Sequence, residues 1–370
     1  MEKVLWVSPN FNHYKARFLN HLAKTENLEL TVIAGSGVSG QGHDELASDW
    51  CFKLIRLAVP KKRFGYTPKA VFAIIILFKQ FDWVMIPREK KNSLLILLVH
   101  FYRRITFARN TKLISYNHPF FGNRLERGFN GGLLKFFYKV YDLIIFYNQK
   151  SSELALQAGV IDEYKVGWAN NTLDNLEIAR YYQFINPNHN HPRLLFIGRL
   201  IASKRVDIAI NYFKKLKLSI TNLELDIVGD GPEESTLKSL AKGVEGIHFH
   251  GAQNQEEILS NYFEQCSLVF IPGHTGLSIN HAFLYGRGYI TLDVEKHAPE
   301  IHYLDEGYNG YLLKGNELDN VDFLKEILTN KDELTRLSKN AMTSGENLSM
   351  ENWCKQVIDS LQKIKRFNTK

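Results

Sequence analysis

Short apolar runs alternate along the chain with longer amphipathic stretches, and the alternation occurs as two separate series. In the first, Val4-Leu-Trp-Val7, Glu29–Ile33, Asp82–Ile86, Lys112–Tyr116 and Leu143–Phe146 read as strands. Residues 14–24 and 133–141 read as helices between them. Around residues 168–192 the pattern breaks, and Asn-Pro-Asn-His-Asn-His-Pro (186–192) reads as a linker. The alternation then restarts, with strands at 193–197, 224–228, 247–250, 268–271 and 289–292. Helices at 206–216, 234–241 and 255–265 lie between them. Near-continuous apolar strands separated by helices predict parallel sheets covered on both faces. Two such series predict an α/β chain of two Rossmann-like domains, 1–168 and 169–349, facing across a deep cleft. Ligands in such sheets sit beyond the carboxyl ends of the strands.

Composition narrows the class. Of 370 residues, 45% are hydrophobic and 23% charged, an ordinary globular balance. Cys51, Cys266 and Cys354 form no CxxC pair or zinc-spaced cluster, so no metal site is expected. Residues 1–9 read as a buried strand rather than a signal peptide. The longest apolar runs, 70–78 and 94–99, fall short of the ~18 residues a membrane span needs. These features predict a cytoplasmic protein. The net charge of +7 is uneven: residues 1–180 hold 25 Lys and Arg against 15 Asp and Glu. Such a basic half suits a phosphorylated acceptor or an anionic membrane surface, and equally a solvated exterior. No recognition module points to nucleic acid. The first strand is not followed by GxGxxG, which argues against a dinucleotide-dependent dehydrogenase.

Candidate chemistry concentrates in the second series. In Phe196-Ile-Gly-Arg-Leu-Ile-Ala-Ser-Lys204, a strand ends at Gly198, and Arg199 and Lys204 follow across a loop that enters a helix. Two cations beside a glycine turn suit a diphosphate, and also fit surface charges at a helix start. Ile227-Val-Gly-Asp-Gly-Pro232 ends the next strand with Gly229 and Asp230, which turn chemistry alone also explains. Gly251-Ala252-Gln253 ends another. The run Pro272-Gly273-His274-Thr275-Gly276-Leu277-Ser278 opens a short helix that reaches Gly286.

Taken in order, these segments resemble the retaining glycosyltransferases of family 4, which have the GT-B fold. The matching residues are Gly198-Arg-Leu…Lys204, Val228-Gly-Asp-Gly-Pro232, Pro272 to Gly286, and Pro299-Glu300 followed by Asn309-Gly310. Asn-Thr-Leu-Asp at 171–174 also looks like the start of the C-terminal domain in polysaccharide-building members. The resemblance implies that Arg199 and Lys204 neutralise the diphosphate of a UDP- or GDP-sugar, with no metal and no further cofactor. It places Gly251, Ala252 and Gln253 near the base, and Gly276, Leu277 and Ser278 near the phosphates. It also implies that the final helix, 350–370, crosses back to the first domain. Family members carry two glutamates eight residues apart in the donor loop, and here those positions hold Gly273 and His281. A neutral histidine can hydrogen-bond a ribose hydroxyl, so His281 is read either as a ligand contact or as packing. His274, Asp293 and Glu295 stand near the first position.

In the first domain, Lys112–Tyr116 ends in Asn117-His118-Pro119, and many family members place a histidine there, near the reacting sugar. The first loop and helix start carry Asn12, Tyr14, Lys15 and Arg17 as acceptor-site candidates, or as ordinary helix surface. Basic and aromatic residues interleave at 61–68 and 101–104, which suits peripheral contact with an anionic membrane. The implied reaction moves a sugar to a saccharide or lipid-diphosphate-linked saccharide acceptor in bacterial surface polysaccharide assembly. Two rivals remain: a non-catalytic nucleotide-sugar-binding partner subunit, favoured by the absent glutamates, and a nucleotide-sugar epimerase of the same fold.

Overall fold

The computed structural model describes residues 1–8, 13–25, 28–35, 50–57, 67–89, 92–106, 110–117 and 129–368, with backbone alone at 13–14, 129–131, 133–134 and 365–368. The chain divides into two compact units, residues 1–170 together with 350–370, and residues 171–349.

The first unit is built on a seven-stranded parallel sheet of order β3-β2-β1-β4-β5-β6-β7. Its strands are β1 (Glu2–Ser8), β2 (Leu28–Ala34), β3 (Lys53–Arg56), β4 (Trp83–Met85), β5 (Lys112–Asn117), β6 (Leu143–Phe146) and β7 (Val166–Trp168). Successive side chains of a strand point to opposite faces. Leu5 and Val7 therefore enter one core and Val4 and Trp6 the other, and this two-sided burial is why the strands read as unbroken apolar runs. The first core is covered by α2 (Pro68–Phe78), α3 (Ser93–Ile105), α4 (Phe129–Val140) and α5 (Gln149–Gln157). Thr67 starts α2 by accepting the Ala70 amide on its hydroxyl, and Pro68 fills the first turn. The second core is covered by α1 (His13–Ala23) and the last helix, α13 (Met350–Asn368). Trp353 of α13 is buried there against Trp6, Phe18 and Tyr116, and its indole N–H donates to the Tyr116 hydroxyl at 3.1 Å. The 19-residue α13 is thereby part of the first unit although 179 residues of the second unit precede it.

The second unit holds a six-stranded parallel sheet of order β10-β9-β8-β11-β12-β13. The strands are β8 (Arg193–Ile197), β9 (Glu224–Val228), β10 (Ile247–Phe249), β11 (Leu268–Phe270), β12 (Gly288–Leu292) and β13 (Gly310–Leu313). Its helices are α6 (Asn175–Tyr181), α7 (Val206–Lys217), α8 (Glu234–Leu240), α9 (Glu256–Gln265), α10 (Ser278–Leu284), α11 (Glu317–Thr329) and α12 (Lys331–Glu346). The polar stretch 186–192 is not the joint between units, which falls at 170/171. It is a fixed loop inside the second unit. The buried Arg287 guanidinium donates to the Ile185 carbonyl at 2.8 Å, and the Ser267 hydroxyl donates to that of Asn188 at 3.3 Å. Asn and Pro suit a pinned loop and a linker alike, so composition did not separate the two.

Candidate functional site

In the second unit the chain steps outward from β8 to β9 and β10. It then returns to the other flank of β8 with β11 and continues to β12 and β13. The strand order thus reverses between β8 and β11, and such a reversal point is where open parallel sheets place a ligand site. Gly198 and the 272–275 segment follow those two strands.

The glycines at these strand ends are required by backbone proximity. A Cβ at Gly229 would lie 1.9 Å from the Gly198 carbonyl oxygen, and one at Gly231 would lie 2.3 Å from that of Leu200. The two loops are knit accordingly. The Gly198 N–H donates to Val228 O at 3.0 Å, Leu200 N–H to Asp230 O at 2.6 Å, and Glu233 N–H to Leu200 O at 3.1 Å. Next to them the Gly229 N–H donates to Gly251 O at 2.8 Å, so the turns after β8, β9 and β10 form one continuous rim. On that rim Arg199, Asp230 and Ala252 are exposed. Gln253 bends back and its amide donates to His250 O at 3.1 Å.

Lys204 closes a short 3-10 turn, Ala202–Lys204, and joins this rim to the loop after β11. Its Nζ donates to the His274 carbonyl at 2.7 Å. Gly273 N–H donates to Lys204 O at 3.1 Å and His274 N–H to Ser203 O at 2.8 Å, so the loops are zipped together. The zipper leaves no room at Gly273, where a Cβ would lie 2.2 Å from Ser203 O. Burial, then the Arg199 charge, lowers the Lys204 amine to about 8, and the Glu300 carboxylate opposes the fall. Such an amine gains its full charge when an anion arrives. Glu300 is itself buried: one oxygen accepts from the Asn171 amide at 2.6 Å, and the other has no hydrogen-bond partner among the described residues.

The donor-loop candidates are braced from below by residues that sequence reasoning missed. Thr275 N–H donates to His297 Nδ1 at 3.1 Å, and His297 Nε2 lies 3.0 Å from Leu292 O. These partners fix a neutral imidazole protonated on Nε2. Tyr289, its phenol pushed up to about 12 by burial, donates to the Thr275 hydroxyl at 3.3 Å and lies 3.0 Å from that of Ser278. No local pattern marks His297 or Tyr289, because their partners lie 22 and 14 residues away. The pKa of His297 is lowered below 6.5, chiefly by burial. The unfolded chain therefore takes up a proton that the folded chain resists. The brace contributes fully above pH 6.5 and is lost as pH falls below it. Urea unfolding is expected to show a stability loss on acidification through this range. His297→Ala should cost about 1–3 kcal/mol at neutral pH and flatten that acid limb. An unchanged acid limb in the variant would remove the assignment.

His281 lies on α10 with its Nε2 3.2 Å from Glu256 Oε1, while the other Glu256 oxygen accepts from the Tyr285 hydroxyl at 2.8 Å. Asp293 and Glu295 are exposed after β12. In the first unit, Lys15 and Arg17 lie half-buried on α1. Asn12, His118 and the Tyr14 side chain lie outside the described residues. An apolar recess of about 320 Å³ is lined by residues including Ile178, Tyr182, Phe184 and Met342. It has no charged lining residue to neutralise a diphosphate. Among the described residues no cluster of His, Cys, Asp or Glu is arranged to hold a metal ion.

Two parallel α/β sheets of this topology are the GT-B fold of glycosyltransferases. The model of the family described as glycosyl transferases group 1 matches residues 178–343, which lie within the second unit. An uncharacterized glycosyltransferase of Haemophilus influenzae is 24% identical over 165 residues, 43% of this chain and 45% of that protein. The chain thus matches less than half the length of that relative. The crystal structure of Anabaena Alr3699/HepE in complex with UDP and glucose superposes with a TM-score of 0.68 at 15% identity, over 98% of this chain and 100% of that one. The apo form of the lipopolysaccharide outer core galactosyltransferase WaaB gives 0.69 at 14% identity, over 97% and 99%.

Proposed function

We propose that this protein is a retaining glycosyltransferase. It takes a sugar from a UDP- or GDP-sugar to a saccharide or lipid-linked saccharide acceptor in bacterial surface polysaccharide assembly. The observation that carries the reading is the partly buried Lys204, held between the glycine rim and the 272–276 loop with Arg199 beside it. A diphosphate placed there meets two cations and restores the proton affinity that burial removes from Lys204. The leaving nucleotide is stabilised as the glycosidic bond breaks, and the leaving phosphate takes the acceptor's proton on the same face. The two cations stand in for a metal ion, and the nucleotide sugar is substrate rather than cofactor. Gly198, Gly229, Asp230, Gly251, Ala252, Gln253 and residues 273–278 are the proposed donor contacts. His118, Asn12, Tyr14, Lys15 and Arg17 remain proposed for the reacting sugar and acceptor. The UDP bound by HepE and the sugar substrate named for WaaB support this class of donor.

A thermal-shift series of nucleoside diphosphates and their sugars tests the donor. At ligand concentrations of about 100 Kd, stabilisation of roughly 3 kcal/mol is expected for the correct base. Affinity should hold below pH 8 and fall by up to about tenfold per pH unit above it, as Lys204 loses its proton. No shift with any nucleotide, or an affinity flat through that range, argues against the reading. The occupied His281 and the closed space at Gly273 favour a second reading, a nucleotide-sugar-binding subunit without turnover. That reading predicts the thermal shift with no product from any acceptor.

A further inference from the structure

Helix α3 has two apolar faces. Leu95, Ile96 and Val99 enter the core of the first unit. Leu94, Leu98, Phe101 and Ile105 recur at steps of four, three and four, which places them in one narrow stripe. All four are exposed, Phe101 by 58% and Ile105 by 75%. Helix α2 lies alongside: Phe78 packs edge-on to Tyr102 with ring centroids 6.4 Å apart, and Lys79 Nζ is 5.5 Å from the same ring. Its outer side carries Phe72, exposed by 66%, and Ile76 one turn on. A soluble surface scatters such residues singly, whereas two neighbouring helices here display six.

The charge around this face selects its occupant. Lys69, Lys79 and Arg104 are exposed on the same two helices. Across residues 51–150, nineteen Lys and Arg stand against four Asp and Glu. A second copy of the chain would bring the same excess of cations against itself, while an anionic bilayer attracts it and accepts the apolar side chains below its headgroups. No described helix is long and apolar enough to cross a membrane, so the face can lie on a bilayer but not span it.

We propose that the outer face of α2 and α3 docks the first unit onto an anionic lipid bilayer, with Phe72, Leu98, Phe101 and Ile105 inserted and Lys69, Lys79 and Arg104 at the headgroups. Of the two cations in the interleaved stretch 101–104, only one faces outward. Arg103 turns inward to Asp142 at 2.9 Å, and Arg104 is the exposed cation. This docking deepens the lipid-linked acceptor reading, but its test needs no donor, so the two fail separately.

Flotation of the full chain with phosphatidylcholine–phosphatidylglycerol vesicles at low salt tests it. Retention is expected on these vesicles and not on phosphatidylcholine alone. The double variant L98S/F101S should lower the partition coefficient at least about tenfold with an unchanged thermal midpoint, because both residues are exposed. R104Q and K69Q should each lower it about fivefold. No retention on anionic vesicles overturns the proposal, as does retention that L98S/F101S leaves intact. A concentration-dependent dimer that the same variant dissociates, without vesicle binding, would make the face a self-interface and also overturn it.

Discussion

Replacing Lys204 with alanine is expected to remove nucleotide-induced stabilisation and to lower turnover by about 10²–10³, the usual consequence of losing a preorganised charge at a developing anion. Two effects separate in this variant. The bond from Nζ to the His274 carbonyl is lost, loosening the join between the 3-10 turn and the donor loop. A desolvated cation is also removed, which relieves the ligand-free protein and leaves its stability little changed. Arg199→Ala is the cleaner companion, because Arg199 is exposed. Its removal should change folding stability by less than about 0.5 kcal/mol while weakening nucleotide binding. Because both cations are proposed to meet one diphosphate, the double variant should lose less than the sum of the single losses. Retention of the nucleotide shift in either single variant would detach that cation from the donor site.

Gly273→Glu is expected to fail, although by family resemblance it restores an absent acid. Its Cβ would lie 2.2 Å from Ser203 O and 2.6 Å from the Lys204 carbonyl carbon, both backbone atoms that cannot swing aside. Accommodation requires breaking the bonds from Gly273 N–H to Lys204 O and from His274 N–H to Ser203 O. The expected cost is about 2–4 kcal/mol, or roughly 5–15 °C in the thermal midpoint of a unit this size. Gly273→Ala separates sterics from charge and should show most of the loss. Unimpaired nucleotide binding and stability in both variants would mean the zipper is not a fixed part of the site.

Legibility from sequence followed local chemistry. Strands β8 and β9 were readable at their true ends because both sheet faces are buried and glycine follows. Edge strand β3, Lys-Leu-Ile-Arg, was not readable: its residues are half-buried or exposed and it lacks the apolar run. Arg199, Lys204 and the flanking glycines stood out because strand, glycine and cation follow within a few residues. Glu300 stands in the sequence only as part of a Pro-Glu motif. Its nearness to Lys204 across 96 positions emerges when the turn at 299–303 packs beside α10.

By itself the sequence determined two parallel α/β sheets, the break between their series, and the run of strand-end glycine and nearby cations in the second, because each follows from periodicity or neighbouring residue types. Tertiary structure alone decided that 186–192 is a pinned loop, that His297 and Tyr289 brace Thr275, that Gly273 admits no side chain, and that α3 turns a second apolar face outward. These depend on which distant backbone atoms meet and which faces stay uncovered. For Lys204 the distinction is sharpest: its place after a glycine turn is local, but its lowered proton affinity exists only once the fold has taken its amine from water.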